Sequence, residues 1–413
     1  MFRNISWTFL SNVMLAAVKW LMLIAIAKWL SPIDVGYYAL GLAVASPLTF
    51  FANMKLRALF VSADTPYYTA YASARNIVGF VSMLILFALS YIVYPDAWVM
   101  IMLIGGIKML DLVSDFMYAL PHRHQQMSAI SKLIIAKQMV LIIAFVWTIL
   151  MTHHLISTLC VQIMIQLIWL AIEYALCVRR YAFDRTTNRA LVGRILLLGI
   201  PLGFTQLIVS FNSFLPRYIL EYFTDAETLG YFSAIAYITV IANIVMGAIS
   251  QNYLHVFKMQ HNKGDYIQLQ RTLYADLGSI AIILSGITFL ISLFAGDFIL
   301  TQLYSAAYAQ YDWMLLLLSG CLFFNALNWN IDTVLTSVGI VKRQLYFVLI
   351  ASALSIPVTW LLIYMLGIKG AALAMITNSF FLYVTKEIYL RKWLKQRREM
   401  YATKQQVQSA VRR

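Results

Sequence analysis

Charge is scarce in this chain, and negative charge is the scarcer sign. Only 12% of its 413 residues are charged, and 17 Asp and Glu face 31 Lys and Arg, for a formal net charge of +14. A soluble domain carries about 25% charged residues. So small a stock of water-facing groups cannot cover a surface of this size, which excludes a soluble globular protein. Cysteine is also nearly missing. Cys160, Cys177 and Cys321 lie in or beside apolar runs, with no Cys-x-x-Cys and no His/Cys metal spacing. Neither a disulfide framework nor a metal centre is expected. The Gly-rich loop that cradles nucleotide phosphates is absent, so the chain is not its own ATPase. No triad or paired-acid spacing stands out for hydrolysis, and no catalytic residue is assigned: an enzyme is not expected.

Apolar length is what the sequence has in quantity. Hydrophobic residues make up 62% of it, in runs such as VMLAAVKWLMLIAIAKWL and MLLLLSGCLFFNALNW. These approach the roughly 20 residues that cross a bilayer. The pattern predicts an all-α polytopic membrane protein of about 12 transmembrane helices. They fall near residues 5–30, 35–60, 76–94, 97–118, 131–151, 153–178, 194–216, 228–258, 278–295, 313–335, 343–366 and 369–390. Breaks come at Ser31–Pro32, Thr65–Pro66, Pro95–Asp96, Pro121, His153–His154, Asp225–Glu227, Lys263–Gly264, Gly296–Asp297, Gly339 and Gly367. The N-terminal MFRNISWTFLSNVMLAAVKWL is too long for a signal peptide and reads as the first span.

The positive charge is placed, not spread. Alternate loops and both termini hold 24 of the 31 Lys and Arg, while the opposite loops hold only Arg217 and Lys369. Basic residues stay on the cytoplasmic side of a membrane, so both termini are expected there. The excess charge then records topology and attraction to anionic headgroups, and a nucleic-acid partner is not expected.

The most basic loop divides the spans six and six. The expected organisation is residues 1–178 as an N-terminal six-helix bundle, 179–193 as a basic cytoplasmic linker, 194–390 as a C-terminal six-helix bundle and 391–413 as a basic cytoplasmic tail. The halves share a hinge. Gly36–Tyr37–Tyr38, in LSPIDVGYYAL, matches Gly230–Tyr231–Phe232, in YFTDAETLGYFSAI, at an offset of 194 residues. Ser11–Asn12 meets Thr205–Gln206 at the same offset. An even number of helices per half gives both halves one orientation, as in transporters built of parallel repeats.

Polar groups inside the spans are the candidate machinery, because they are costly in hydrocarbon and face a bundle interior or water. In the first span Asn4, Thr8, Ser11, Asn12 and Lys19 share a helix face. In the seventh, Pro201 is expected to bend the helix, and Thr205, Gln206, Asn212 and Arg217 follow it. Lys108 and Asp111, three residues apart, are expected to neutralise one another. Lys137, Glu173 and Asp332 are further candidates for internal pairs or for coupling. The cations Lys19, Lys108, Arg57 and Arg217, with Asn12 and Gln206, bias the interior positive and favour an anion such as a phosphate.

The stretches LSPIDVGYYALGLAVASPLTFFANMKLRALFV, FNSFLPRYILEYFTDAETLGYFSAIAYITVIANIVMGAISQ and GIKGAALAMITNSFF carry a likeness across essentially the whole chain. The sequence resembles the Wzx-like oligosaccharide flippases of polysaccharide biosynthesis, in the broad class that also holds multidrug and toxic-compound extruders. The resemblance implies two six-helix bundles around a central cavity. It implies a bacterial inner-membrane transporter that flips polyprenyl-pyrophosphate-linked oligosaccharide, such as an O-antigen or capsule repeat unit, by alternating access. It further implies a lipid-linked anionic glycan as partner, with glycan polymerase and glycosyltransferases nearby, no bound cofactor, and coupling to H+ or Na+ through a buried carboxylate such as Asp111 or Glu173. Lys19, Arg57 and Arg217 fit the cations that such proteins turn toward pyrophosphate. A multidrug exporter of the same fold class is the alternative.

The topology is checked by labelling. Single cysteines placed near residues 3 and 405, in a chain whose own three cysteines are replaced, should react with an impermeant maleimide only in inside-out vesicles.

Overall fold

The computed structural model describes residues 2–64, 67–181, 183, 186–340 and 343–411, without the side chains of residues 2–6, 241, 242, 248 and 401–411. The side chains of Arg3, Asn4, Arg185, Lys342, Lys404, Arg412 and Arg413, all used in the sequence reading, lie outside the described residues. Among the described residues the chain is helical, with no strand. Eleven helices are long and apolar enough to cross a membrane. The other expected span, Trp98–Met117, is also one helix and carries Lys108, Asp111 and Asp115 in its apolar run.

The chain forms two compact units, Met1–Ala234 and Ile235–Arg413. The first holds α1 (Phe2–Trp29), α2 (Pro32–Asn53), the short α3 (Leu56–Ser62), α4 (Tyr68–Val93), α5 (Trp98–Met117), the short α6 (Ala119–Arg123), α7 (Met127–Thr152), α8 (Leu155–Glu173) with a terminal π turn (Tyr174–Val178), and α9 (Arg189–Phe223). In it α2 packs on α4, α5 and α9, and α7 packs on α1 and α8. The basic segment 179–193 thus leads into a helix that packs within the first compact unit. The helix α10 (Ala226–Asn252) begins in this unit and ends in the second. The second unit continues with α11 (Leu254–Lys263), α12 (Tyr266–Arg271), α13 (Leu277–Leu303), the short α14 (Ala306–Ala309), α15 (Asp312–Ser337), α16 (Gln344–Leu366) and α17 (Ile368–Val411). There α15 packs on α13 and α17, and α17 also on α16. The stretch after residue 390 continues the last helix.

The expected second span, 35–60, is two helices. Met54 and Lys55 both take the left-handed conformation, with φ of 45° and 50°, and end α2 before α3 begins. Three arginines counted as topology markers hold this end of the unit together. Arg75 is buried and donates to the Ala52 carbonyl at 3.0 Å. Arg123 donates to the carbonyls of Phe60, Val61 and Ala63 at 3.1, 3.3 and 2.7 Å. Both cations thereby cap the carbonyl ends of α2 and α3. Arg57 turns to Asp115 on α5.

The repeated hinge has a direct explanation. Ser31 caps α2: its hydroxyl accepts the Asp34 N–H at 3.2 Å, and the Asp34 carboxylate accepts the Ser31 N–H at 3.1 Å. Pro32 occupies the first helical position, where its missing N–H costs nothing. Asp225 does the same work before α10, accepting the Thr228 N–H at 2.7 Å. Gly36 and Gly230 are each the fifth residue of their helices. A Cβ on Gly36 would strike the Ala226 carbonyl, and one on Gly230 would strike the Pro32 carbonyl. Each glycine therefore sits against the first residue of the other helix. The two copies of the motif make one backbone-to-backbone crossing, which only hydrogen at both positions permits.

A Gly→Ala change in an open helix position stabilises by about 0.5–1 kcal/mol through propensity. Overpacking costs about 1–3 kcal/mol, so at the crossing the collision wins. Gly36→Ala and Gly230→Ala should each lower the melting temperature in detergent, whereas Gly193→Ala and Gly286→Ala, where a Cβ meets nothing, should leave it unchanged or raise it.

Candidate functional site

The polar groups of the first unit converge where α5, α7 and α8 meet. Asp111, Ser114 and Asp115 on α5, and Tyr118 that caps its end, follow steps of three and four, so they share a face. On α8 Gln162, Gln166 and Glu173, four and seven residues apart, also share a face, and all are buried. Lys137 reaches them from α7. Its side chain is 4% exposed, and its ammonium donates to Ser114 Oγ at 2.8 Å and lies 3.4 Å from Asp111 Oδ1 and 3.7 Å from Glu173 Oε1. Gln166 Nε2 donates to Asp111 Oδ1 at 3.2 Å, and the Tyr118 hydroxyl donates to Glu173 Oε1. Glu173 is fully buried, while Asp111 is 36% exposed. One cation thus sits among oxygens from two helices besides its own. Such an arrangement is what allows a charge to remain in a low-dielectric interior.

This corrects the expected pairing of Lys108 with Asp111. Spacing of three residues puts the two on neighbouring faces of α5, but Asp111 turns to Lys137 across the bundle. Lys108 is half-buried and lies within electrostatic range of Lys19 on α1 and of Asp111. Lys19 is exposed, as is Asn12 two turns before it on the same face. Ser11, beside Asn12, is buried and donates to Ser131 on α7 at 3.4 Å. Among the described residues neither Lys19 nor Lys108 has a carboxylate within 4 Å. Among the described residues the unit therefore has two ammonium groups within electrostatic range of each other and without a bonded counter-charge, whereas Lys137 has two.

The remaining predicted residues have other surroundings. Arg57 donates to Asp115 Oδ1 at 2.9 Å, so its charge is already matched. Arg217 lies over the rings of Phe214 and Phe232, 5.2 and 5.9 Å from their centroids. Next to it, the Tyr218 hydroxyl donates to the Ala43 carbonyl and joins α9 to α2. Pro201 stands inside an unbroken α9, where Thr205 donates to its carbonyl at 2.9 Å. Gln206 is half-buried, and its Oε1 is a buried acceptor without a partner among the described residues. In the second unit Asp332 on α15 pairs with the buried Lys386 of α17 at 2.8 Å. Its neighbour Glu387 accepts from Tyr274 at 2.8 Å and from Arg391 at 2.6 Å. Lys386 and Glu387 are both buried. Ser114, Tyr118 and Gln166 were not singled out from sequence, although their helical spacing to Asp111 and Glu173 was there to be read. Among the described residues no His, Cys and carboxylate group of the kind that holds a metal occurs.

Solved transporters share this architecture of helices. The lipid II flippase MurJ, in an inward closed conformation, aligns with 96% of this chain and 90% of its own at a TM-score of 0.76 and 10% identity. An inward-facing multidrug resistance MATE family transporter of the MOP superfamily aligns with 96% of each chain at a TM-score of 0.70 and 10% identity. At such identities the likeness concerns the fold alone, an all-α architecture of helices of membrane-spanning length. The sequence is more specific. The family model described as polysaccharide biosynthesis protein matches residues 1–254, and the chain belongs to that family. It is also 24% identical over 383 residues to the capsular polysaccharide biosynthesis protein CapF of Staphylococcus aureus, covering 92% of this chain and 96% of that one.

Removing one member of a buried charge cluster is far more damaging than removing a surface charge, by about 3–5 kcal/mol. Lys137→Met should therefore lower the melting temperature sharply, and Lys137→Met with Glu173→Gln should recover part of the loss. Lys132→Met, at an exposed cation resting over the Trp7 ring, should change it little.

Proposed function

We propose that this protein is a flippase that moves a polyprenyl-pyrophosphate-linked oligosaccharide from the inner to the outer leaflet of the bacterial cytoplasmic membrane. One observation supports the reading within the polysaccharide biosynthesis family: Lys19 and Lys108, in the apolar helices α1 and α5, stand within electrostatic range of each other, while Asp111, Glu173 and Asp115 serve Lys137 and Arg57. Two like-charged ammonium groups favour a doubly charged anion, and pyrophosphate is the anionic part of the proposed cargo. Asn12 and Gln206 offer amide groups suited to sugar hydroxyls.

The site works by alternating access, with its cations exposed first to one side of the membrane and then to the other. The Lys137 cluster supplies the coupling element. An ammonium already stands among the oxygens of Asp111, Glu173 and Ser114, where a Na+ would need the same ligands. Protonation therefore fits this site better than sodium. A proton on half-exposed Asp111 would loosen its hold on Lys137 and let the ammonium shift within the bundle. Export of cationic drugs fits less well, because Lys19 and Lys108, which have no carboxylate within 4 Å among the described residues, are both positive. Glycosyltransferases would make the substrate, and a polymerase would use the flipped product.

In proteoliposomes loaded with a polyprenyl-pyrophosphate oligosaccharide, Lys19→Ala with Lys108→Ala should cut flipping at least about tenfold, the effect of losing roughly 1.4 kcal/mol of binding. Lys19→Arg should keep most of it. Undiminished flux at equal protein content would reject the anion-binding role.

A further inference from the structure

Where α17 leaves the apolar part of the second unit, the protein carries a pocket of about 730 Å³ that the transport reading does not use. Tyr389, Lys392, Trp393, Gln396 and Arg397 line it from α17, and Arg343 lines it from the start of α16. The five α17 residues follow helical steps of three and four, so they form one stripe. Gly339, at φ +80°, turns the α15–α16 connection, which brings Arg343 to that stripe.

The walls are fixed. Trp393 is buried, and its ring packs against His261 at 5.7 Å and Tyr266 at 5.8 Å between centroids. Tyr389 packs on Phe347 at 5.1 Å. Each aromatic wall holds a guanidinium. Arg343 lies 5.1 Å over the Tyr389 ring and donates to its hydroxyl at 2.9 Å, and Arg397 lies 5.6 Å over Trp393. Exposed Lys392 adds a third positive charge, and no lining residue is acidic.

Depth says what such a pocket meets. From Ile368 to Tyr389 the helix is long enough to cross the roughly 30 Å hydrocarbon layer, so the pocket opens at headgroup level. It lies on the side of the membrane to which the basic loops belong. Tyr and Trp bodies suit that level, with cations reaching for phosphate. We infer that this pocket binds the phosphate of an anionic phospholipid headgroup, with Arg343, Lys392 and Arg397 as its ligands and Tyr389 and Trp393 as its walls. It is a site separate from the one proposed for cargo, and it anchors the emerging end of α17 to the inner leaflet.

The test uses the full chain purified in an uncharged detergent, with bound lipid read by native mass spectrometry and by thermal shift. Phosphatidylglycerol should bind with one tight copy per chain, and phosphatidylcholine of the same acyl length should not. Arg343→Gln with Lys392→Gln and Arg397→Gln should weaken phosphatidylglycerol at least about tenfold. Lys258→Gln with Lys263→Gln and Lys395→Gln removes three exposed cations that do not line the pocket and should have little effect. Should the pocket variant fail to fold, Lys392→Glu alone carries the test, with an expected loss of about threefold or more. Equal loss in the two triple variants, equal binding of the two lipids, or no loss in Lys392→Glu overturns the inference. Inorganic phosphate should compete only weakly. Competition as tight as that of phosphatidylglycerol would assign the pocket to a soluble phosphoryl ligand and also overturn it.

Discussion

An ammonium group taken from water into a bilayer-spanning bundle needs oxygens around it, and meeting that need arranges much of the first unit. Lys137 draws Ser114 and Asp111 from α5 and Glu173 from α8 toward α7, while Gln166 and Tyr118 hold the two carboxylates from behind. Apolar packing alone gives membrane helices little preference for one partner over another, because lipid tails are as apolar as leucine. A buried charge supplies that preference, since every alternative packing leaves it stranded. Ser11–Ser131 and the Tyr218–Ala43 bond add further polar contacts that join α1 to α7 and α9 to α2.

The second unit uses the same device with the signs exchanged. Glu173 is the nineteenth residue of α8, the last long helix of the first six, and Lys386 is the nineteenth of α17, the last of the second six. The acidic residue finds its cation on α7, and the basic one finds its carboxylate, Asp332, on α15. What recurs is the need for a charged brace nineteen residues into the last helix, with sign and partner free to vary. The hinge motif shows a stricter recurrence. Gly36 and Gly230 press on each other's helix starts, so a change in either is felt by both. Their resemblance in sequence follows from a shared contact as well as from any duplication.

The helices were legible because apolar runs, prolines and capping residues are local signals. The pairings were not. Lys108–Asp111 is the bond that one helix offers, but the carboxylate chose Lys137, which stands 26 residues further on and is invisible to helical spacing. Arg75 and Arg123 obey the positive-inside count and so looked explained, yet each caps a helix end that loop composition could not reveal. The two left-handed residues Met54 and Lys55 carry no glycine to announce them. They divide α2 from α3, and Arg57 on α3 meets Asp115. Arg57, read as a cation awaiting phosphate, is thereby neutralised before any ligand arrives. The Lys137 cluster was half visible: Lys137, Asp111 and Glu173 stood out as charges in apolar runs, whereas Ser114, Tyr118 and Gln166 are common enough in membrane helices to pass unmarked.

Among the cations of the apolar helices, some are matched by a carboxylate and Lys19 and Lys108 are not. Lys137, Lys386 and Arg57 each have a carboxylate within reach. Lys19 and Lys108 have each other for a neighbour, and no bonded acid among the described residues. Two like charges at bilayer depth repel, and the repulsion grows as water is excluded. A fold that needed only stability would discard one of them or supply an acid. Keeping both is sensible when a third, negative party visits, because an anion between them turns the repulsion into attraction. A cationic cargo would add to the repulsion at that point. On the proposed reading, the sign of this pair, more than the outline of the fold, is what would separate a carrier of anionic lipid-linked sugar from an exporter of cations.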